Sequence, residues 1–172
     1  MFEVGTIDFA VYDTAFDEEF VGMASVTLPD KNQKVIPING AGIGGDVEVP
    51  INGHYDAMTL VLEFHNYSPR VARLREHRRQ TIELRIAQQN EDRIAGQVVT
   101  DAVKHVFVGI PKSASGGTVA PASPGNMNVA MSVRYWGTFV NGKLLDEIDQ
   151  LNRIDIINGI DYNAPVRKAL GM

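Results

Sequence analysis

The residues best able to ligate a metal or move a proton near neutral pH are the four histidines, His54, His65, His77 and His105. None stands within four residues of another, so no pair shares the H-x-x-x-H spacing that puts two imidazoles on one helical face. Cysteine is absent, which removes thiolate metal sites, disulfides and cysteine nucleophiles together. Ser113 and Ser115 sit among proline and glycine with no G-x-S-x-G elbow to expose a hydroxyl, and no base is marked for them. The expectation is a protein with no catalytic residue, no cofactor and no metal.

One motif does match a known chemistry letter for letter. Gly40-Ala41-Gly42-Ile43-Gly44-Gly45 reads G-x-G-x-x-G and follows a strand-like run, as a dinucleotide fingerprint does. That fingerprint works only where its last glycine opens a helix whose amides hold a pyrophosphate. Asp46-Val47-Glu48-Val49-Pro50 follows instead, an alternating run closed by proline, so a glycine-rich loop is the expected structure.

The third feature is a run of guanidinium groups, Arg70, Arg73, Arg75, Arg78 and Arg79. Ser68 as N-cap and Pro69 at the first helical position predict a helix here, with Val71 and Leu74 on its apolar stripe. Its basic side has three readings: a solvated face, a contact for an acidic protein, or a phosphate-binding face. The last is disfavoured because no aromatic residues are interleaved for base stacking, and because the 172-residue chain carries a net charge of −5.

The elements that position these residues are mostly strands. Met58, Leu60, Leu62 and Phe64 alternate with polar or exposed-type neighbours, as do Ile82, Leu84 and Ile86, and Val129, Met131, Val133 and Tyr135. Each run predicts a strand with one buried face. Weaker strand runs lie at 4–12, 20–28, 33–38, 46–51, 94–110 and 153–157, and a short helix is expected at 165–170. Asn141-Gly142 predicts a tight hairpin, since both residues tolerate the positive φ that a type I′ turn requires. Loops are expected at 39–45 and 111–125, both poor in core-forming residues. Hydrophobic residues make up 44% and charged residues 22%, a globular mixture. The length suits one domain. No signal-peptide pattern opens the chain and no apolar stretch reaches membrane-spanning length, so no membrane anchor is expected.

From Tyr135 onward the chain reads YWGTFVNGKLLDEIDQLNRIDIINGIDYNAPVRKALGM. An aromatic strand leads into a turn with Gly142-Lys143, then Glu147-Ile148-Asp149, Asn152 with Ile154, and Asn158-Gly159-Ile160-Asp161, ending near Arg167 and Lys168. This order resembles the C-terminal segment of major tail tube proteins of contractile-tailed phages and R-type tailocins. Phe20-Val21-Gly22, Ser25-Val26-Thr27-Leu28-Pro29 and the glycine-rich loop after Ile38 are similar to the same family. The 111–125 stretch and the arginine run lie outside the resemblance.

The resemblance implies an antiparallel β-sandwich or barrel with one flanking helix. It further implies a structural subunit of a virion tail, assembled in the bacterial host cytoplasm as six-membered rings stacked into a tube. Its partners would be further copies of itself, the tail sheath protein, and baseplate and tail terminator proteins, with DNA passing through the lumen without specific binding. A type VI secretion-like tube shares this architecture, and a small β-barrel ligand-binding module is the rival of a different class. The expected inter-subunit residues are Gly40, Gly42, Gly44 and Gly45 of the loop and Ile148, Ile154, Ile157 and Ile160 of the C-terminal segment. That segment holds more isoleucine than one strand face can bury. Arg70, Arg73 and Arg78 are the expected sheath contacts.

Overall fold

A computed structural model describes residues 2–16, 18–92, 94 and 96–172. The chain runs β1 (Phe2–Asp13), β2 (Glu18–Glu19), β3 (Met23–Thr27), β4 (Gln33–Ile38), β5 (Val47–Tyr55) and β6 (Met58–Phe64). Then come α1 (Pro69–Leu74), β7 (Gln80–Glu91), β8 (Val98–Ser115), β9 (Met127–Val140), β10 (Lys143–Asp149), β11 (Ile154–Ile157), β12 (Ile160–Asp161) and α2 (Ala164–Ala169). Every strand pairing is antiparallel. The mainly β expectation therefore holds.

The long strands β8 and β9 serve two arms of one sheet. The first half of β9 pairs with β6, and β6 with β3, while the second half pairs with β10. β8 lies along the other side of β9 throughout, and only its part up to Gly109 also pairs with β7. These strands form one ten-stranded sheet that branches at β9: one arm is β3–β6–β9–β8, four strands wide, and the other runs β2–β1–β7–β8–β9–β10–β11–β12. Leu60, Leu62, Met131, Ile82, Phe107 and Trp136 fill the space between them. This burial supplies the main driving force for the fold.

The alternation is strict on β6, where Met58, Leu60, Leu62 and Phe64 are all buried. It slips on β9. Val129, Met131 and Val133 are buried as expected, but Tyr135 is not the next core residue. The β8–β9 register shifts between Val108 and Gly109, so that Val133 faces Gly109 and Tyr135 faces Val108. The extra residue, Arg134, turns the period by one, and Trp136 enters the core in place of Tyr135.

Two turns answer to their residues. Asn141 (φ 48°) and Gly142 (φ 80°) close the predicted β9–β10 hairpin, and Asn158 (φ 52°) and Gly159 (φ 81°) do the same between β11 and β12. The second expected loop is shorter than predicted. β8 continues through Pro111 to Ser115, with another irregularity between Pro111 and Ser113 that accommodates a residue lacking an N–H.

Candidate assembly surfaces

The glycine-rich motif forms the tip of a hairpin. β4 and β5 pair with one another and with no other strand among the described residues. Gly40 (φ 153°), Gly42 (φ 91°) and Gly45 (φ 147°) adopt backbone angles that side-chain-bearing residues rarely take, and no atom lies where a Cβ would stand on any of them or on Gly44. No helix follows, so the geometry that would hold a pyrophosphate is not built here. Along the ribbon, Ile36 faces Val49 and Ile38 faces Val47. The four side chains share one side, since residues opposite each other and two apart project to the same face. They are 38% to 53% exposed. An isolated two-stranded ribbon is marginal in water, and this one offers an uncovered apolar side.

The hairpin's root is polar and partly buried. The Tyr55 hydroxyl lies 3.1 and 3.0 Å from the two carboxylate oxygens of Asp155, itself 1% exposed on β11. Gln33 Nε2 donates to the Tyr55 oxygen at 3.3 Å. Lys31, just before β4, pairs with Asp146 and sits 3.9 Å above the Trp136 ring. Burial pulls the Lys31 ammonium down to about 8 from its ordinary 10.5, against the pull of the Asp155 carboxylate. Trp136 Nε1 donates to His105 Nδ1 at 3.2 Å, and Thr138 Oγ1 lies 3.1 Å from the same nitrogen. Burial, reinforced by the Lys31 charge, lowers His105 to about 4. His105 is therefore a neutral core residue, and no group of three or more potential ligands clusters anywhere among the described residues.

The arginine run is only partly helical. α1 begins as predicted, with Ser68 Oγ accepting from Val71 N at 3.3 Å, but it ends at Leu74. Gln80 terminates it, its buried Nε2 reaching the carbonyls of Arg73, Leu74 and Glu76 at 3.2, 3.1 and 3.1 Å. Arg78 and Arg79 consequently lie off the helix, on the approach to β7. Arg73 and Arg70 both pair with Glu18, Arg73 also lies 4.5 Å from the Phe16 ring, and Arg78 pairs with Glu76. The three expected sheath contacts are engaged within their own subunit. Arg75 and Arg79 are exposed and form no ion pair among the described residues.

The C-terminal isoleucines divide. Ile148 is 2% exposed and belongs to the subunit's own core, so it has no surface to offer a neighbour. Ile154 is half-buried. Ile157 and Ile160 stand opposite each other across the Asn158-Gly159 turn, 40% and 57% exposed.

Two open edges complete the picture. Among the described residues, β3 is paired only through β6, and β8 beyond Gly109 only through β9, so the four-stranded arm is unpaired on both sides. The outer stretch of β8 carries Pro111, Lys112 and an irregularity between Pro111 and Ser113, features that blunt an edge, whereas β3 (Met23–Thr27) carries neither Pro nor Lys.

A sequence model of the family described as Phage tail tube protein FII matches residues 9–171. The chain belongs to this family. The tail tube protein of Escherichia phage P2 is 26% identical over 152 residues, covering 86% of each chain. Among solved structures, the tube subunit's fold is similar to a chain of the sheath/tube terminator of the extracellular contractile injection system PVC in its extended state. There the TM-score is 0.57 at 12% identity, covering 81% of this chain and 98% of the other. A chain of the PVC sheath-tube complex, also extended, matches with a TM-score of 0.52 at 13% identity, covering 76% and 87%. These likenesses show a shared antiparallel β fold, and membership of the tail tube family makes this chain a structural subunit of a phage-type tail tube.

Proposed function

We propose that the subunit closes into six-membered rings that stack into the hollow inner tube of a contractile tail, a conduit with no catalytic step. The observation that carries this reading is the β4–β5 ribbon, which pairs with no other strand among the described residues and whose apolar side of Ile36, Ile38, Val47 and Val49 stays 38% to 53% exposed. Covering those side chains with a copy in the next ring stabilises by about 25 cal/mol for each Å² of apolar surface removed from water. The loop at 39–45 orders in that contact, since it brings little apolar surface of its own.

Within a ring, β3 of one copy pairs with the outer edge of residues 110–115 of the next. Such a contact joins unlike edges, so it closes only after a fixed number of copies. The sheet face turned from the core then lines the lumen. It carries Thr59 opposite Ser132 and Glu63 opposite Asn128; Ser25 Oγ lies 2.5 Å from Glu63 and Lys112 Nζ 2.6 Å from Thr59, and the exposed Arg134 stands at its end, two residues beyond Ser132 on β9. A wall of this kind offers DNA few cations to bind by counterion release, whereas an arginine-lined one retards it. The phage relative favours DNA as the cargo. The sheath meets the outside of the tube through Arg75 and Arg79, the baseplate and terminator cap its ends, and the whole is a virion tail component assembled in the host cytoplasm.

Electron microscopy and sedimentation of the purified protein test this reading. Hollow six-fold rings or tubes are expected. A protein that stays monomeric at every concentration and ionic strength overturns it.

A further inference from the structure

We infer that the C-terminal segment is a clamp that sets the angle of the β4–β5 hairpin on its own subunit, with the buried carboxylate of Asp155 as its anchor. The inference rests on the stacking role proposed for that hairpin and assigns the residues that prepare it for the contact. Each strand leaving the root is held at several points, and every holding residue comes from the last third of the chain. On the β4 side, Lys31 pairs with Asp146 of β10, and Gln33 reaches Asp155 through the Tyr55 hydroxyl at 3.3 Å and then 3.0 Å. On the β5 side, Tyr55 donates to Asp155 of β11, and Gln150 Nε2 donates to the Asp56 carbonyl at 3.3 Å. Gly53, at φ 70°, lies directly beneath the buried Asn163 side chain, so close that a Cβ there has no room. Asn32 O accepts from Asp56 N at 2.9 Å and closes the root between these anchors.

A ribbon that pairs only with itself inherits its direction from its root. Were the root held by solvent-exposed contacts alone, the ribbon would swing, and only the fraction at the correct angle would bind the next ring. Apparent affinity falls in proportion to that competent fraction. Tyr55, Asp155, Gly53 and Asn163 are therefore positioning residues, which act on the neighbouring copy through the hairpin without touching it.

The chain contains no cysteine, which permits clean pairwise spin labelling. With labels on Glu48→Cys in the paired part of the ribbon and Thr100→Cys on the body, the parent is expected to give one narrow distance distribution by pulsed electron resonance. Tyr55→Phe, which removes one hydroxyl, is expected to broaden it while the melting curve stays close to the parent's. Where a tenth of hairpins keep the competent angle, the concentration needed for tubes rises about tenfold. Asp155→Asn is the companion variant, and Tyr55→Phe decides alone if the former does not fold. An unchanged distribution in a folded Tyr55→Phe protein overturns the inference. So does broadening that appears only together with collapse of the melting transition, because the segment then serves only the core. If the parent forms no rings, the stacking role fails, whereas the distance measurement still decides the clamp.

Discussion

Gly109 on β8 lies against the backbone carbonyl of Ser132 on β9, and a Cβ built on Gly109 stands 2.6 Å from that oxygen. The two strands come this close where β9 gains its extra residue, the shift that sends Trp136 into the core. Gly109→Ala must push the strands apart, and overpacking of this kind costs about 1 to 3 kcal/mol. For a chain of this length each kcal/mol lowers Tm by about 2 to 4 °C. A thermal melt checks it, and an unchanged Tm would mean that β8 yields there at little cost.

The isoleucines of the C-terminal segment separate folding from assembly. Ile148→Asp places a carboxylate in the core beside Trp136, its cross-strand partner, and is expected to prevent folding. Ile157→Asp and Ile160→Asp alter exposed side chains, so their melts should shift by less than about 1 kcal/mol. Their rings and tubes should nevertheless be lost. Normal tubes from both surface variants, read by sedimentation, would remove these residues from the interface.

Acid and alkaline stability should carry the signatures of His105 and Lys31. His105 titrates near 4 in the folded chain and near 6.5 when unfolded, so the unfolded state takes up the proton first. Its contribution is complete above about pH 6.5 and is lost as pH falls toward 4. Lys31 titrates near 8 folded and 10.5 unfolded, so the unfolded state again holds more protons in that window. Stability gains from this group as pH rises from about 8 to 10.5. Melts of His105→Gln and Lys31→Met against the parent should flatten the acid and alkaline arms respectively, and parallel curves would contradict the assignment.

Charge reversal on the arginine run should depend on which arginine is changed. Arg73→Glu sets a second carboxylate against Glu18 and removes the nearer of two cations over Phe16, so it perturbs the subunit itself. Arg75→Glu and Arg79→Glu break no ion pair among the described residues and should leave Tm within about 0.5 kcal/mol of the parent. A co-sedimentation assay with sheath protein should then show weakened binding for the second pair alone. Undiminished binding would place the sheath contact elsewhere.

Local chemistry determined much of this protein before any contact was known. The alternation of Met58 to Phe64 specified both strand and buried face, because a period of two leaves only one side for the core. Ser68-Pro69 marked the start of α1, and Asn141-Gly142 marked a turn through its tolerance of positive φ. Asn158-Gly159 carries the same signal between Ile157 and Ile160, and reading it as a turn would have separated those two residues from Ile148 at once.

What only tertiary structure decided depends on partners far apart in the chain. The end of α1 is set by Gln80, whose side chain reaches back to three carbonyls, so the arginine run looked like one face when it is a short helix and a connecting stretch. The core place of Trp136 over Tyr135 depends on the register of β8 against β9, which no periodicity within β9 encodes. The pairing of Tyr55 with Asp155 joins residues 100 positions apart, and nothing local distinguishes that aspartate from Asp149 or Asp161, which stay partly exposed. A carboxylate becomes a buried anchor only when the fold removes its water and supplies a donor in return.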